Sequence, residues 1–270
     1  MACYWPDNIA QWRLAPALID TAALPGVGDA GALLAPAGAP ALPAADNDRR
    51  LGRLFERHVQ DWITRTPALT LRAHNVAIHD GTRTLGELDL LVSHGNTLMH
   101  WEVTLKFYLG VDETFWPGPD PRDQFARRLH RLRTHQFPLL ARPATGARLA
   151  ALGLSTPRSQ HLLSRGMLFY PHDRLLAPPA GAHPDHLRGT WWPLSAVPRE
   201  GRFLPIPKSH WLDIKMLSNN SQNWLASPRL IDYVHAQDRP VMVLYESQAH
   251  AYLPGVVVSD GWLDVVSRRA

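Results

Sequence analysis

Three carboxylates and a lysine interrupt the apolar stretch GELDLLVSHGNTLMHWEVTLK, residues 86–106: Glu87, Asp89, Glu102 and Lys106. Two runs of alternating apolar residues around His-Gly-Asn read as a β-hairpin. Strand side chains alternate between faces, so Met99, Trp101, Val103, Leu105 and Phe107 share one face. His100, Glu102, Thr104 and Lys106 share the other. On the preceding strand Glu87 and Asp89 lie opposite Leu88, Leu90 and Val92, and strand pairing lets Asp89 meet Glu102. Adjacent carboxylates repel unless a proton or a cation intervenes. A hard divalent cation such as Mg²⁺ or Mn²⁺ takes one or two carboxylates and fills its shell with water and phosphate oxygens. A bound divalent ion would remove the cost of that repulsion, and the chemistry open to such a pair is metal binding. The simpler alternative is a sheet with one solvated face. Leu85 and Leu91, which flank the acids on the same face, argue against it.

Periodicity shows which elements position these groups. Leu51, Leu54, Phe55, Val59, Trp62 and Ile63 recur at helical spacing and predict a helix over 51–63. Glu56 sits at the border of its apolar face, as a candidate outer metal ligand or a surface ion-pair partner. Strands follow over 71–80, 83–94 and 97–109, the first ending at an Asp80-Gly81 turn. A second helix is predicted over 122–137, stopped by Pro138, and a fourth strand over 160–171. In that helix Phe125, Leu129 and Leu132 form the buried stripe, and Arg122, Arg127, Arg128, Arg131 and Arg133 lie largely off it. Such a face suits a phosphate backbone, or is simply solvated. Gln136 continues the buried row and points inward.

Helix, three strands, helix, strand is the core order of the PD-(D/E)XK nuclease superfamily, and the site residues resemble its motif. Asp89 in GELD takes the place of the motif aspartate, and Glu102 with Lys106 in HWEVTLKFYLG takes that of Glu-x-Lys. The longer phrases RTLGELDLLV, HWEVTLKFYLG, HQF and RGMLFYP resemble a bacterial family, domain of unknown function 1853, grouped with those nucleases. The resemblance covers most of the chain after about residue 50 and implies a restriction-endonuclease-like α/β core. It implies a nucleic-acid phosphodiesterase in which Asp89 and Glu102 hold Mg²⁺ or Mn²⁺, with Glu56 outside them. Lys106 would orient or activate the attacking water, or neutralise charge in the transition state. Glu87 would be structural or lie outside the ligands, His100 on the same face reads as a satisfied sheet histidine, and Gln136 would stand near the site. One position departs from the pattern: Thr104 stands where the lysine is usual. Lys106 keeps the face, but its Cα lies about 13 Å along an ideal strand from that of Glu102, against about 7 Å for the usual spacing. An inactive nuclease fold that binds nucleic acid or serves in assembly is the alternative.

The rest of the chain sets the frame. Ten Trp in 270 residues point to core packing first and base stacking second. A formal charge of +4 fits a polyanionic partner without requiring one. One cysteine excludes an internal disulfide and a multi-cysteine zinc site. The start lacks the pattern of a signal peptide and no apolar run reaches membrane length, so a cytoplasmic protein with no membrane partner is expected. Gly26, Gly28 and Gly31 spell G-x-G-x-x-G, but without a strand before and a helix after they carry no dinucleotide site. The organisation expected is an N-terminal segment with an Ala/Pro/Gly-rich linker (1–50, the linker at 21–46), a nuclease-like core (51–175) and an α/β extension packed on it (176–270). In that extension a helix is expected near 229–238 and strands near 239–246 and 255–263.

Overall fold

A computed structural model describes residues 4–34, 51–218, 220–237, 239–249 and 251–268. The helices are α1 (Ile9–Leu14), α2 (Gly31–Leu34), α3 (Leu51–Thr64), α4 (Phe125–Arg131), α5 (Pro143–Ala151), α6 (Lys215–Ser218), α7 (Ser227–His235) and α8 (Trp262–Ser267). The strands are β1 (Val27–Asp29), β2 (Leu69–Asp80), β3 (Arg83–His94), β4 (Thr97–Leu109), β5 (Ser159–Pro171), β6 (Leu187–Pro193), β7 (Arg202–Pro205), β8 (Val241–Glu246) and β9 (Tyr252–Val258). The protein is mixed α/β with a large, mostly antiparallel sheet. It forms two compact units. One comprises Ile19–Leu105 and Arg128–Arg165, the other Met1–Leu18, Lys106–Arg127 and Gly166–Ala270.

The first unit carries the strand order β2-β3-β4-β5, with β1 added in parallel to β5. The Asp80-Gly81 and Gly95 turns close the β2–β3–β4 meander expected from alternation, both glycines having positive φ. Val76, Ile78, Leu88, Leu91 and Leu98 pack against Leu139 and Leu149. Phe55, Val59, Trp62 and Ile63 of α3 are buried, with the Phe55 and Trp62 rings edge to face at 5.8 Å.

Three expectations change. The stretch 21–46 is not all linker: Val27–Asp29 pairs with Gln160–Leu162, and Leu24, Ala30 and Leu34 are buried. Sheet pairing uses backbone groups, so an Ala/Pro/Gly-rich segment that reaches a strand edge is held there despite its composition. Residues 35–46 lie outside the described residues. The single helix over 122–137 becomes α4, a π-helical turn at Leu132–Gln136 and a 3-10 turn at Phe137–Ala141. Pro138 has no N–H to continue the α ladder, and the Phe137 N–H bonds five residues back to the Leu132 carbonyl. Arg122 precedes the helix and forks onto Asp120.

In the second unit the strand order is β4-β5-β6-β9-β8-β7. Leu230 and Val234 of α7 pack with Phe203, Val243 and Val257. Trp5, Trp12, Phe107 and Trp211 form an aromatic cluster. The tryptophans are core residues: nine of the ten are buried, and Trp224 is half-buried. The strand expected near 255–263 resolves into β9 and the start of α8.

Candidate active site

The antiparallel ladder between β3 and β4 runs from His94↔Thr97 to Leu90↔Trp101 and stops there. Asp89 and Glu102 would form the next cross-strand pair. Instead the Val103 N–H donates to Asp89 Oδ2 at 2.9 Å, so a carboxylate takes the place of a ladder carbonyl. β3 stays paired to β2 past this point, with Leu88↔Val76 and Gly86↔Ile78. The two carboxylates therefore stand where β3 parts from β4. Gly86 permits this course: its φ is +157°, and a Cβ there would lie 2.9 Å from Leu139 Cδ2 and 3.2 Å from His135 Cε1.

Both faces of β4 are covered. His100 and Glu102 are fully buried and Thr104 is 5% exposed, which removes the solvated-face alternative. The π turn presents Gln136, whose Nε2 donates to Glu102 Oε2 at 3.0 Å. His100 Nε2 lies 3.1 Å from Glu102 Oε1, without the alignment of a hydrogen bond. On its other side His100 Nδ1 faces Gln160 Nε2 at 3.4 Å.

Burial and then the charge of Glu102 push Asp89 well above the usual carboxylate range. The Val103 N–H opposes that rise, Glu56 adds to it, and Arg128 opposes it. Glu56 is also raised, chiefly by burial, with Glu87 and Glu102 adding to it and a hydrogen bond from Asn75 and the charge of Arg53 working against it. Glu56, Asp89 and Glu102 thus share one electrostatic neighbourhood. Asn75 Nδ2 also donates to Glu87 Oε1 at 3.1 Å, which makes Asn75 the link between the helix acid and the strand acid. Its φ of +50° is the one positive value outside glycine among the described residues. The pairs His74↔Leu90 and Val76↔Leu88 place it across from Asp89. A left-handed asparagine within a strand is a local strain of the kind found at functional sites.

Two hard oxygen donors fit Mg²⁺ or Mn²⁺, and the Glu102 Oε1 that lacks an aligned hydrogen bond fits a ligand atom. Among the described residues no group of three or more His, Cys, Asp or Glu stands in metal-binding range. The arrangement is therefore a carboxylate pair, with Glu56 acting on it through charge.

The cations are distributed unlike the expectation. Lys106 Nζ is 2.6 Å from Asp123 Oδ2, and the Tyr108 hydroxyl donates to the same carboxylate. A Cβ on Gly166 would collide with the Lys106 carbonyl, so this part of β4 is fitted closely around its neighbour. Arg122 is bound to Asp120, and Arg133 Nε donates to the Ala23 carbonyl. Arg127 and Arg131 are exposed on α4 and Arg128 is half-buried.

Residues 32–252 match the family described as Domain of unknown function (DUF1853). The chain belongs to that family. The matched stretch contains every carboxylate of the site, Asn75 and the π turn. No curated protein and no solved structure matches the chain. No helix among the described residues is long and apolar enough to cross a membrane.

Sequence reasoning passed over Asn75, read His100 as a satisfied sheet histidine and read Arg128 as one of a basic row. Asn75 comes across from Asp89 only through the register shift between Ile78 and His79, which no residue pattern marks. The partner of Lys106, Asp123, had no local signal.

Proposed function

We propose that this protein is a metal-dependent phosphodiesterase acting on nucleic acid, a nuclease-like enzyme with the PD-(D/E)XK core order. The observation that carries this reading is the Asp89–Glu102 pair at the point where the β3–β4 ladder ends, with the charge of Glu56 acting on it. Asp89 and Glu102 would hold Mg²⁺ or Mn²⁺, which when bound polarises a phosphoryl oxygen and acidifies a water. Asp89, raised by burial and by Glu102, gives up a proton as the site is loaded. Gln136 holds one oxygen of Glu102, and His100 stands beside the other. In the hydrolysis a bond forms between the water oxygen and phosphorus, and the P–O ester bond breaks. The water proton passes to solvent and the leaving oxygen takes up a proton from solvent. Exposed Arg127 and Arg131 offer charge to backbone phosphates without reading bases.

Cleavage of single- and double-stranded DNA and RNA with Mg²⁺ or Mn²⁺ tests this. Asp89→Asn and Glu102→Gln should each lower cleavage by about 100-fold or more, the scale on which a stabilising group acts at a transition state. Equal cleavage by the variants would refute the assignment. The second reading, a nuclease fold that binds without cleaving, rests on Thr104 at the usual lysine position and on the Lys106–Asp123 pair. Nucleic-acid binding without cleavage by the wild type would select it.

A further inference from the structure

A phosphodiester transition state carries negative charge that a divalent ion alone does not balance, and the strand supplies no unengaged cation for it. Thr104 is neutral and Lys106 is bound to Asp123. Arg128 occupies a different situation. Arg128, Leu132 and Gln136 recur every four residues, so they lie along one side of α4 and the π turn. That side faces the site, because Leu132 is fully buried and Gln136 bonds Glu102. Arg128 Nε is buried without a hydrogen-bond partner, and among the described residues no carboxylate pairs with its guanidinium. A buried guanidinium edge left unpaired is costly and suits an anionic ligand. The planar fork of arginine matches two phosphate oxygens.

We propose that Arg128 is the cationic group of this site, contacting the scissile phosphate beside the Asp89–Glu102 pair in the role a strand lysine would fill. The inference rests on the phosphodiesterase reading and names the residue that completes it. Its distinguishing consequence is a split of signs. A cation beside the carboxylates repels a divalent ion, yet it assists turnover.

The test uses the full chain with Mn²⁺ alone in calorimetry, and bis-p-nitrophenyl phosphate, a phosphodiester without bases, for turnover. Arg128→Met keeps the apolar stem, and circular dichroism confirms its folding. It should bind Mn²⁺ about 5-fold more tightly, since a like charge is gone, and turn over about 100-fold more slowly. Arg128→Lys restores the charge without the fork and should recover about tenfold of that loss. Turnover and Mn²⁺ affinity falling together in both variants would indicate a structural role and overturn the proposal. Unchanged turnover in Arg128→Met, with an active wild type, would overturn it while leaving the phosphodiesterase reading intact. A wild type that neither binds Mn²⁺ nor turns over would refute both.

Discussion

Asp89 gives the sharpest test of the electrostatics, because it does not depend on knowing a substrate. Burial and the charge of Glu102 hold its folded carboxyl well above the ordinary range, while in the unfolded chain it titrates near the ordinary value of about 4. Between those two points the folded protein keeps a proton that the unfolded chain has released. Stability therefore falls as pH rises through this window, by about 1.4 kcal/mol per pH unit for one proton. Below the unfolded pKa both states are protonated and the effect vanishes. Above the folded pKa it levels off. Asp89→Asn abolishes the titration, and its amide oxygen can still accept from the Val103 N–H, so the ladder-end hydrogen bond survives. The variant should match the wild type near pH 4 and become progressively more stable above it, by roughly 3 °C in melting temperature per pH unit. Glu56 is present in both proteins, so its own upward shift largely cancels in the difference. Mn²⁺ prefers the ionised pair and should reverse the decline in the wild type alone. Thermal melts between pH 4 and 9, in chelator and in Mn²⁺, read all of this. Parallel melting curves for the two proteins in chelator would refute the claim that Asp89 carries the proton.

Gln136→Leu removes the donor to Glu102 Oε2 inside a buried site and should cost about 1–3 kcal/mol in urea unfolding. Saturating Mn²⁺ should narrow that gap by occupying the exposed need of the carboxylate; an identical gap with and without metal would separate Glu102 from the ion. Gly86→Ala must enter a positive-φ position with Leu139 and His135 already in contact range, and should cost about 1–3 kcal/mol, read by the same unfolding assay. A neutral effect would show that the β3 course does not depend on this glycine.

Alternation in the sequence determined where β2, β3 and β4 lie and that Asp89 and Glu102 share a face, because the two-residue period of a strand is a local property of the chain. The helical row through Phe125, Leu129 and Leu132 likewise placed Gln136 inward, and Gln136 is buried against Glu102. Periodicity states which way a side chain points, without stating what it meets. Tertiary structure alone decided that the β3–β4 ladder ends at the carboxylate pair, since that follows from how β3 stays with β2 around Gly86. It decided that Asp123 takes Lys106, that Asn75 adopts a left-handed backbone to join Glu56 and Glu87, and that Val27–Asp29 joins β5. Each of these depends on groups far apart in the chain whose pairing is settled by desolvation and charge once the elements pack. The helix that the sequence reads as ending at Pro138 closes in a π turn over Leu132–Gln136, and the Gln136 of that turn meets Glu102.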